Sequence, residues 1–175
     1  MAYSFIKALG GEVSSSLVED EKLTLAKELV VEADNKGVNL LLPTDSINGS
    51  EFSNDCLINK SDIFNIPKEF AGFDIGKKTV QLFCKTILKS KTIIWNGPMG
   101  VFEMSNFENG TKKIGFAVVE ATKKGAFSLV GGGDSVAAIK KFNLTSGVSY
   151  VSTGGGAMLE YLEGKKLPGI CAIQD

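Results

Sequence analysis

Two stretches constrain this chain more than any others: "FSLVGGGDSVAAIKKF" at 127–142 and "YVSTGGGAMLEYL" at 150–162. Each reads as a short apolar strand that stops at three consecutive glycines and passes directly into a helix. A turn needs one glycine, or two. Three leave backbone without side chains, which suits the close approach of something else. A strand–glycine–helix unit repeated in succession is the connection of a parallel sheet. Its loops fall at the carboxyl ends of the strands, where open α/β sheets bind ligands.

The rest of the chain supports that class. "MAYSFIKALG" reads as a short helix stopped by glycine. "SSSLVEDEKLTLAKELVVEADNKG" reads as a helix with serine cap candidates, acids in its first turn and apolar residues at helical spacing. "VNLLLP" is wholly apolar and predicts a strand closed by Pro43. "DSINGSEF" is polar and turn-rich, and "KSDIFNIPKEFAGFDIG" has no clear period. "KKTVQLFCKTILKS" and "NFENGTKKIGFAVVEATKKG" predict amphipathic helices, with "TIIW" a strand and "NGPMGVFE" a loop between them. Strand and helix thus alternate from Val38 onward, predicting an α/β fold with a parallel sheet covered by helices on both faces.

Composition limits the chemistry. With 43 % hydrophobic and 22 % charged residues and a net charge of −1, the chain has the balance of a soluble globular protein. Nothing in it draws it to nucleic acid or a membrane, and no secretory signal or membrane span is legible. Cys56, Cys84 and Cys171 are scattered and form no zinc spacing, so they read as buried free thiols of a reducing cytosol. There is no histidine. Any reaction must therefore run on carboxylates, lysines, hydroxyls, backbone amides or a metal ion.

Each glycine loop exposes amides at a helix N-terminus, where the dipole favours an anion; the alternative role is a sharp turn with tight helix–strand packing. No G-x-x-x-x-G-K-[ST] motif is present. "GGGDSV" departs from the dinucleotide fingerprint at Val136, and Ser152, Thr153 and Gly154 stand where that fold expects an acid. Asp134 directly follows a loop suited to anions. It is either the N-cap of the helix or a ligand for Mg²⁺, which binds through one or two carboxylates plus phosphates. Ser135 either donates to phosphate or caps. Trp95 reads as core. Glu103 suits a ribose hydroxyl or a solvated loop, and Phe73, in "GFDIG", an adenine face or the core.

Taken together, "SSLVEDEKLTLAKEL", "GFDIG", "WNGPMGVFE", "GTK", "GGGDS" and "VSTGGGAMLEYLEGKKLPG" resemble the phosphoglycerate kinase family, in its order and roughly its spacing. The resemblance covers essentially the whole chain. It implies that residues 1–175 are part of a C-terminal nucleotide-binding domain with a Rossmann-like three-layer fold. The N-terminal substrate domain and the first two strands of this domain have no counterpart. In the implied strand order 3-2-1-4-5-6, "VNLLLP" is the third strand, and "TIIW", "AFSLV" and "VSYVS" are the fourth to sixth. The implied activity is a cytoplasmic, glycolytic phosphotransfer to a carboxyl acceptor: between 1,3-bisphosphoglycerate and Mg·ADP, giving 3-phosphoglycerate and ATP. The acceptor would be held by the N-terminal domain, in a monomeric parent. Carried over by resemblance, Leu17, Gly72 and Phe73 lie at adenine. Glu103 takes the ribose, while Asn96, Gly97, Met99 and Phe102 wall the nucleotide. Asp134 holds Mg²⁺, and Gly132, Gly133 and Ser135 meet the phosphates. Gly154, Gly155 and Gly156 hold the transferring phosphate, with the amides of Gly133 and Gly155 assisting catalysis. Tyr150 departs from the histidine of many members and reads as a packing change. Two other functions compete. One is a nucleotide-binding module without catalysis. The other is a dinucleotide-dependent dehydrogenase domain, disfavoured by the missing acid and third glycine.

Overall fold

The computed structural model describes residues 1–173. They form two compact units, one of 1–85 with 99–111, the other of 86–98 with 112 onward. The helices are α1 (Ala2–Ala8), α2 (Leu23–Asn35), α3 (Lys77–Ile87), α4 (Asn109–Lys123), α5 (Gly133–Lys141), α6 (Gly155–Leu162) and α7 (Pro168–Cys171). The strands are β1 (Asp45–Gly49), β2 (Ile58–Asp62), β3 (Ala71–Ile75), β4 (Thr92–Asn96), β5 (Phe127–Gly131) and β6 (Tyr150–Ser152).

The first unit is built on an antiparallel sheet, β2-β1-β3, which the sequence did not predict. Two of its strands are polar: β1 is "DSING" and β2 is "INKSD", the latter with no buried residue. Backbone pairing and the Asn48 amide donating to Ser61 Oγ at 2.9 Å hold it, not an apolar period. Ile6, Val13 and Ile63 form a small core beside Tyr3, Val18 and Leu42. Two expectations fail here. "VNLLLP" is not a strand: residues 38–43 join no strand ladder, and Val38, Leu40 and Leu41 are exposed. An apolar run signals a demand for burial, but a strand also requires a neighbouring backbone to pair with. The serines do not cap α2 either. That helix starts at Leu23 after a 3₁₀ turn, without a side-chain cap. Ser16 Oγ is instead engaged by the Gly72 amide at 2.9 Å.

The second unit holds the predicted parallel sheet, in order β4-β5-β6. The order advances in one direction, so right-handed crossovers place α4 and α5 on the same face. That face is dry: Ile93, Trp95, Ser128 and Val130 are all buried. A Cβ on Gly115 of α4 would come within 3.4 Å of the Trp95 ring. Ser128 Oγ is hydrogen-bonded to Thr122 Oγ at 2.7 Å and accepts the Ser149 amide. On the opposite face α6 brings Met158 against Gly131, but Ile94, Phe127 and Tyr150 stay exposed. Helices thus flank the sheet, yet both faces are not fully covered as the alternation predicted. One-directional strand order is the reason.

Candidate functional site

In the first unit, the predicted adenosine-side residues come together around β3. The Ser15 amide donates to Phe70 O (3.1 Å) and the Gly72 amide to Ser16 Oγ (2.9 Å). These bonds hold Ser15 and Ser16, and so the segment that carries the exposed Leu17, at the Phe70–Gly72 end of β3. Gly72 is glycine for packing, because a Cβ there would fall on the Tyr3 hydroxyl. Phe73 is half-buried, with edge-on neighbours Phe52 at 5.5 Å and Phe107 at 5.2 Å. It therefore belongs to an aromatic row and keeps part of its surface open. The Val101 amide donates to Phe73 O at 2.8 Å. That bond carries Met99, Phe102 and Glu103 to the same place. Phe102 is buried and Glu103 exposed, so Glu103 is the acid that this loop presents to solvent.

Sequence reading missed three polar residues that build this region. Asp74 is 2 % exposed. Its Oδ2 accepts the Gly110 amide (2.7 Å) and its Oδ1 the Ile75 amide (2.9 Å). Burial pushes the carboxyl up to about 7, against the opposing pull of those two amides. Thr111, fully buried, accepts the amides of Met99 (3.0 Å) and Gly100 (3.2 Å) through Oγ1. Asp45 caps α3 from a distant strand, accepting the amides of Lys78 and Thr79 and the Thr79 hydroxyl. Burial pushes its carboxyl up, but that hydroxyl and those amides together hold it below the ordinary value. The available signal was an acid set within an apolar strand end, "GFDIG", because a carboxylate there must find donors.

In the second unit, the predicted phosphate-side residues converge at the carboxyl ends of the parallel strands. Strand register sets Asn96 of β4, Gly131 of β5 and Ser152 of β6 in one row. Gly97, at φ +105°, donates its amide to Ser135 Oγ at 2.6 Å, and Trp95 Nε1 donates to Gly97 O at 2.7 Å. Trp95 is core, as expected. Ser135 is fully buried, so its first role is to hold the Asn96–Gly97 turn.

The six loop glycines divide by cause. Gly131 is packed under Met158. Gly132 has φ +89° with Asn96 Oδ1 beside it. Gly155 presses on the backbone of Gly132. Around Gly133 and Gly156 a Cβ would meet nothing within 4 Å, and at Gly154 only Ala157 at 4.0 Å. The first three are glycine for packing or conformation. No protein contact requires glycine at the other three, which leaves room for a ligand.

The helix termini carry the same message. Both α5 and α6 begin at a glycine N-cap, Gly132 and Gly154, without a side-chain cap bond. Their first amides thus lack intrahelical partners. Asp134 is not the N-cap. It stands one residue inside α5, exposed. Among the described residues there is no group of three or more His, Cys, Asp or Glu side chains that could hold a metal ion alone. A lone exposed carboxylate beside an amide-lined loop fits Mg²⁺ held jointly by protein and phosphate.

A parallel sheet with two amide-lined glycine loops at its carboxyl edge and an exposed carboxylate beside one of them is an α/β architecture whose ligand edge suits an anion. The phosphoglycerate kinase family model matches residues 1–165. A phosphoglycerate kinase of Porphyromonas gingivalis is 56 % identical over 174 residues, 99 % of this chain and 42 % of the relative. One from Thermosipho africanus is 52 % identical over 174 residues, 99 % and 43 %. The solved phosphoglycerate kinase of Coxiella burnetii superposes with a TM-score of 0.91 at 44 % identity, covering 97 % of this chain and 43 % of that one. The chain belongs to the phosphoglycerate kinase family, and it spans a little over two fifths of the length of these relatives. The dehydrogenase alternative is thereby set aside.

Proposed function

We propose that this chain supplies nucleotide-binding residues of a phosphoglycerate kinase, which moves a phosphoryl group between 1,3-bisphosphoglycerate and Mg·ADP to give 3-phosphoglycerate and ATP. In this reading the enzyme is glycolytic and cytoplasmic, and its acceptor binds to a domain outside residues 1–175. By the family resemblance, Leu17, Gly72 and Phe73 serve adenine, Glu103 takes the ribose, and Asn96, Gly97, Met99 and Phe102 wall the nucleotide. Asp134 holds Mg²⁺, Gly132, Gly133 and Ser135 meet the phosphates, and Gly154, Gly155 and Gly156 hold the transferring group. The observation that carries the proposal is the pair of uncapped glycine N-termini of α5 and α6 with Asp134 exposed beside one of them.

The chemistry asks little covalent work of the protein. Phosphoryl transfer is catalysed by positioning and by stabilising charge. Backbone amides at Gly133 and Gly155 would meet phosphate oxygens without a histidine. Mg²⁺, when bound, neutralises charge on the phosphates. Asp134 would hold it, and Glu103 would fix the nucleotide by its ribose.

Calorimetric titration of the purified chain with ADP, with and without Mg²⁺, tests the binding half. Saturable Mg·ADP binding with no response to NADH is expected, and absence of ADP binding would overturn the reading for this chain. A coupled kinase assay tests the other half. The 175-residue polypeptide by itself is expected to show no turnover, since closure around both substrates is needed to exclude water. Turnover free of host enzyme would refute that.

A further inference from the structure

Asp74 lies in the core of the first unit, where a carboxylate must find donors. One donor is its neighbour, the Ile75 amide; the other, Gly110, is 36 residues away. Gly110 is the second residue of α4, and the first amides of a helix have no partner inside it. Asp74 therefore acts as a cap delivered from a strand. The approach is close enough to dictate two glycines. A Cβ on Gly110 would fall on Asp74 Oδ1, and one on Gly100 would come within 2.5 Å of it. Thr111 Oγ1 meanwhile accepts the amides of Met99 and Gly100. Both ends of the 99–111 loop are thus fastened at one point. Between them, Val101 is bonded to Phe73 O, and Phe107 stands edge-on to the Phe73 ring. Glu103 is the exposed acid that this loop presents.

From this geometry we infer that Asp74 is a positioning residue for nucleotide binding. With Thr111 it clasps both ends of the 99–111 loop and so fixes Glu103 for the ribose. The inference rests on the nucleotide reading above and deepens it. Asp74 touches no ligand itself; it acts through Glu103.

The test titrates the full 175-residue chain with ADP, 2′-deoxy-ADP and 3′-deoxy-ADP in the presence of Mg²⁺. The wild type should prefer ADP over at least one deoxy analogue. Asp74→Asn, which keeps one acceptor and loses the other, should weaken ADP about tenfold, as for loss of one hydrogen bond to a charged group, and should collapse the preference towards unity. Thr111→Val should do the same in part, and Thr111→Ser should restore it. In a Glu103→Gln background, Asp74→Asn should add little, because residues acting through one another are not additive. An unchanged preference in both Asp74→Asn and Thr111→Val, or full additivity with Glu103→Gln, would overturn the inference. If the wild type itself binds no ADP, the nucleotide reading fails. Hydrogen exchange then judges the clasp alone: amides of 101–110 should lose protection in Asp74→Asn while those of β1 and β3 keep theirs, and unchanged loop amides would refute it. Should Asp74→Asn fail to fold, the Thr111 pair carries both measurements.

Discussion

The backbone of Gly132 occupies the space where a side chain at residue 155 would sit: an ideal Cβ on Gly155 would lie 2.5 Å from Gly132 Cα. The two glycine loops are therefore in direct contact, and the middle glycine of the second is there to allow it. Gly155→Ala should destabilise the fold by about 1–3 kcal/mol through overpacking. Gly133→Ala and Gly156→Ala, with nothing within 4 Å, should fold as well as wild type or gain about 0.4–1 kcal/mol, yet bind Mg·ADP more weakly or, for Gly156, alter the phosphate-transfer step in the full-length kinase. Thermal melts beside ADP titrations check the division. Equal melting-point losses at all three positions would refute it.

Asp134 is exposed and caps nothing, so its removal should leave stability within about 0.5 kcal/mol, the usual span for surface substitutions. Asp134→Ala should nevertheless lose the Mg²⁺ dependence of ADP binding, by roughly ten- to a hundredfold, the range of one charged hydrogen-bonding contact. ADP titrations at fixed pH with Mg²⁺ and with EDTA measure this. Wild-type Mg²⁺ dependence in the variant would remove Asp134 from the metal.

The parts legible in the sequence were those in which an apolar period met a nearby partner. β4, β5 and β6 are apolar runs joined through helices, and they pair in chain order. The antiparallel sheet was illegible because "DSING" and "INKSD" are polar, and their pairing is backbone chemistry that leaves no apolar period. "VNLLLP" was over-read, since its composition reports a wish for burial and says nothing of a partner. Capping was misread wherever the cap came from afar. Asp45 serves α3 across more than thirty residues, whereas local serines near α2 were spent elsewhere. In the candidate site, glycine spacing revealed the loops, but which glycines serve packing required the third dimension.

The buried carboxyl of Asp74 makes stability pH-dependent with a definite sign. Its value in the fold, about 7, lies above the ordinary 3.8, so between these limits the folded chain keeps a proton that the unfolded chain has released. Stability should then fall as pH rises through this window, by up to about 1.4 kcal/mol per unit. Asp45, held below its ordinary value, acts in the opposite sense: its contribution is present above the ordinary carboxylate range and lost as pH falls through its lowered value. Urea unfolding from pH 4 to pH 7.5 should show the decline, and Asp74→Asn should flatten it. A slope unchanged in that variant would assign the effect to other groups.

The parallel sheet carries an apolar surface that no element of its own unit covers. Ile94, Phe127 and Tyr150 are 46 %, 53 % and 61 % exposed and project from the same face, with β4 as an edge strand. In the first unit, Val38, Leu40 and Leu41 are exposed along a segment that joins no strand ladder. Contiguous apolar surface and unpaired strand edges both favour association. The 175-residue chain should therefore self-associate at micromolar concentration. Sedimentation velocity over a dilution series should show a concentration-dependent coefficient. Ile94→Lys combined with Phe127→Lys should shift the chain towards monomer, because charges on an exposed face oppose edge pairing without entering the buried face formed by Ile93, Trp95 and Val130. A monodisperse wild-type monomer, with strongly protected amides in both 38–43 and β4, would show that this surface is covered in solution and that residues 38–43 do find a strand partner.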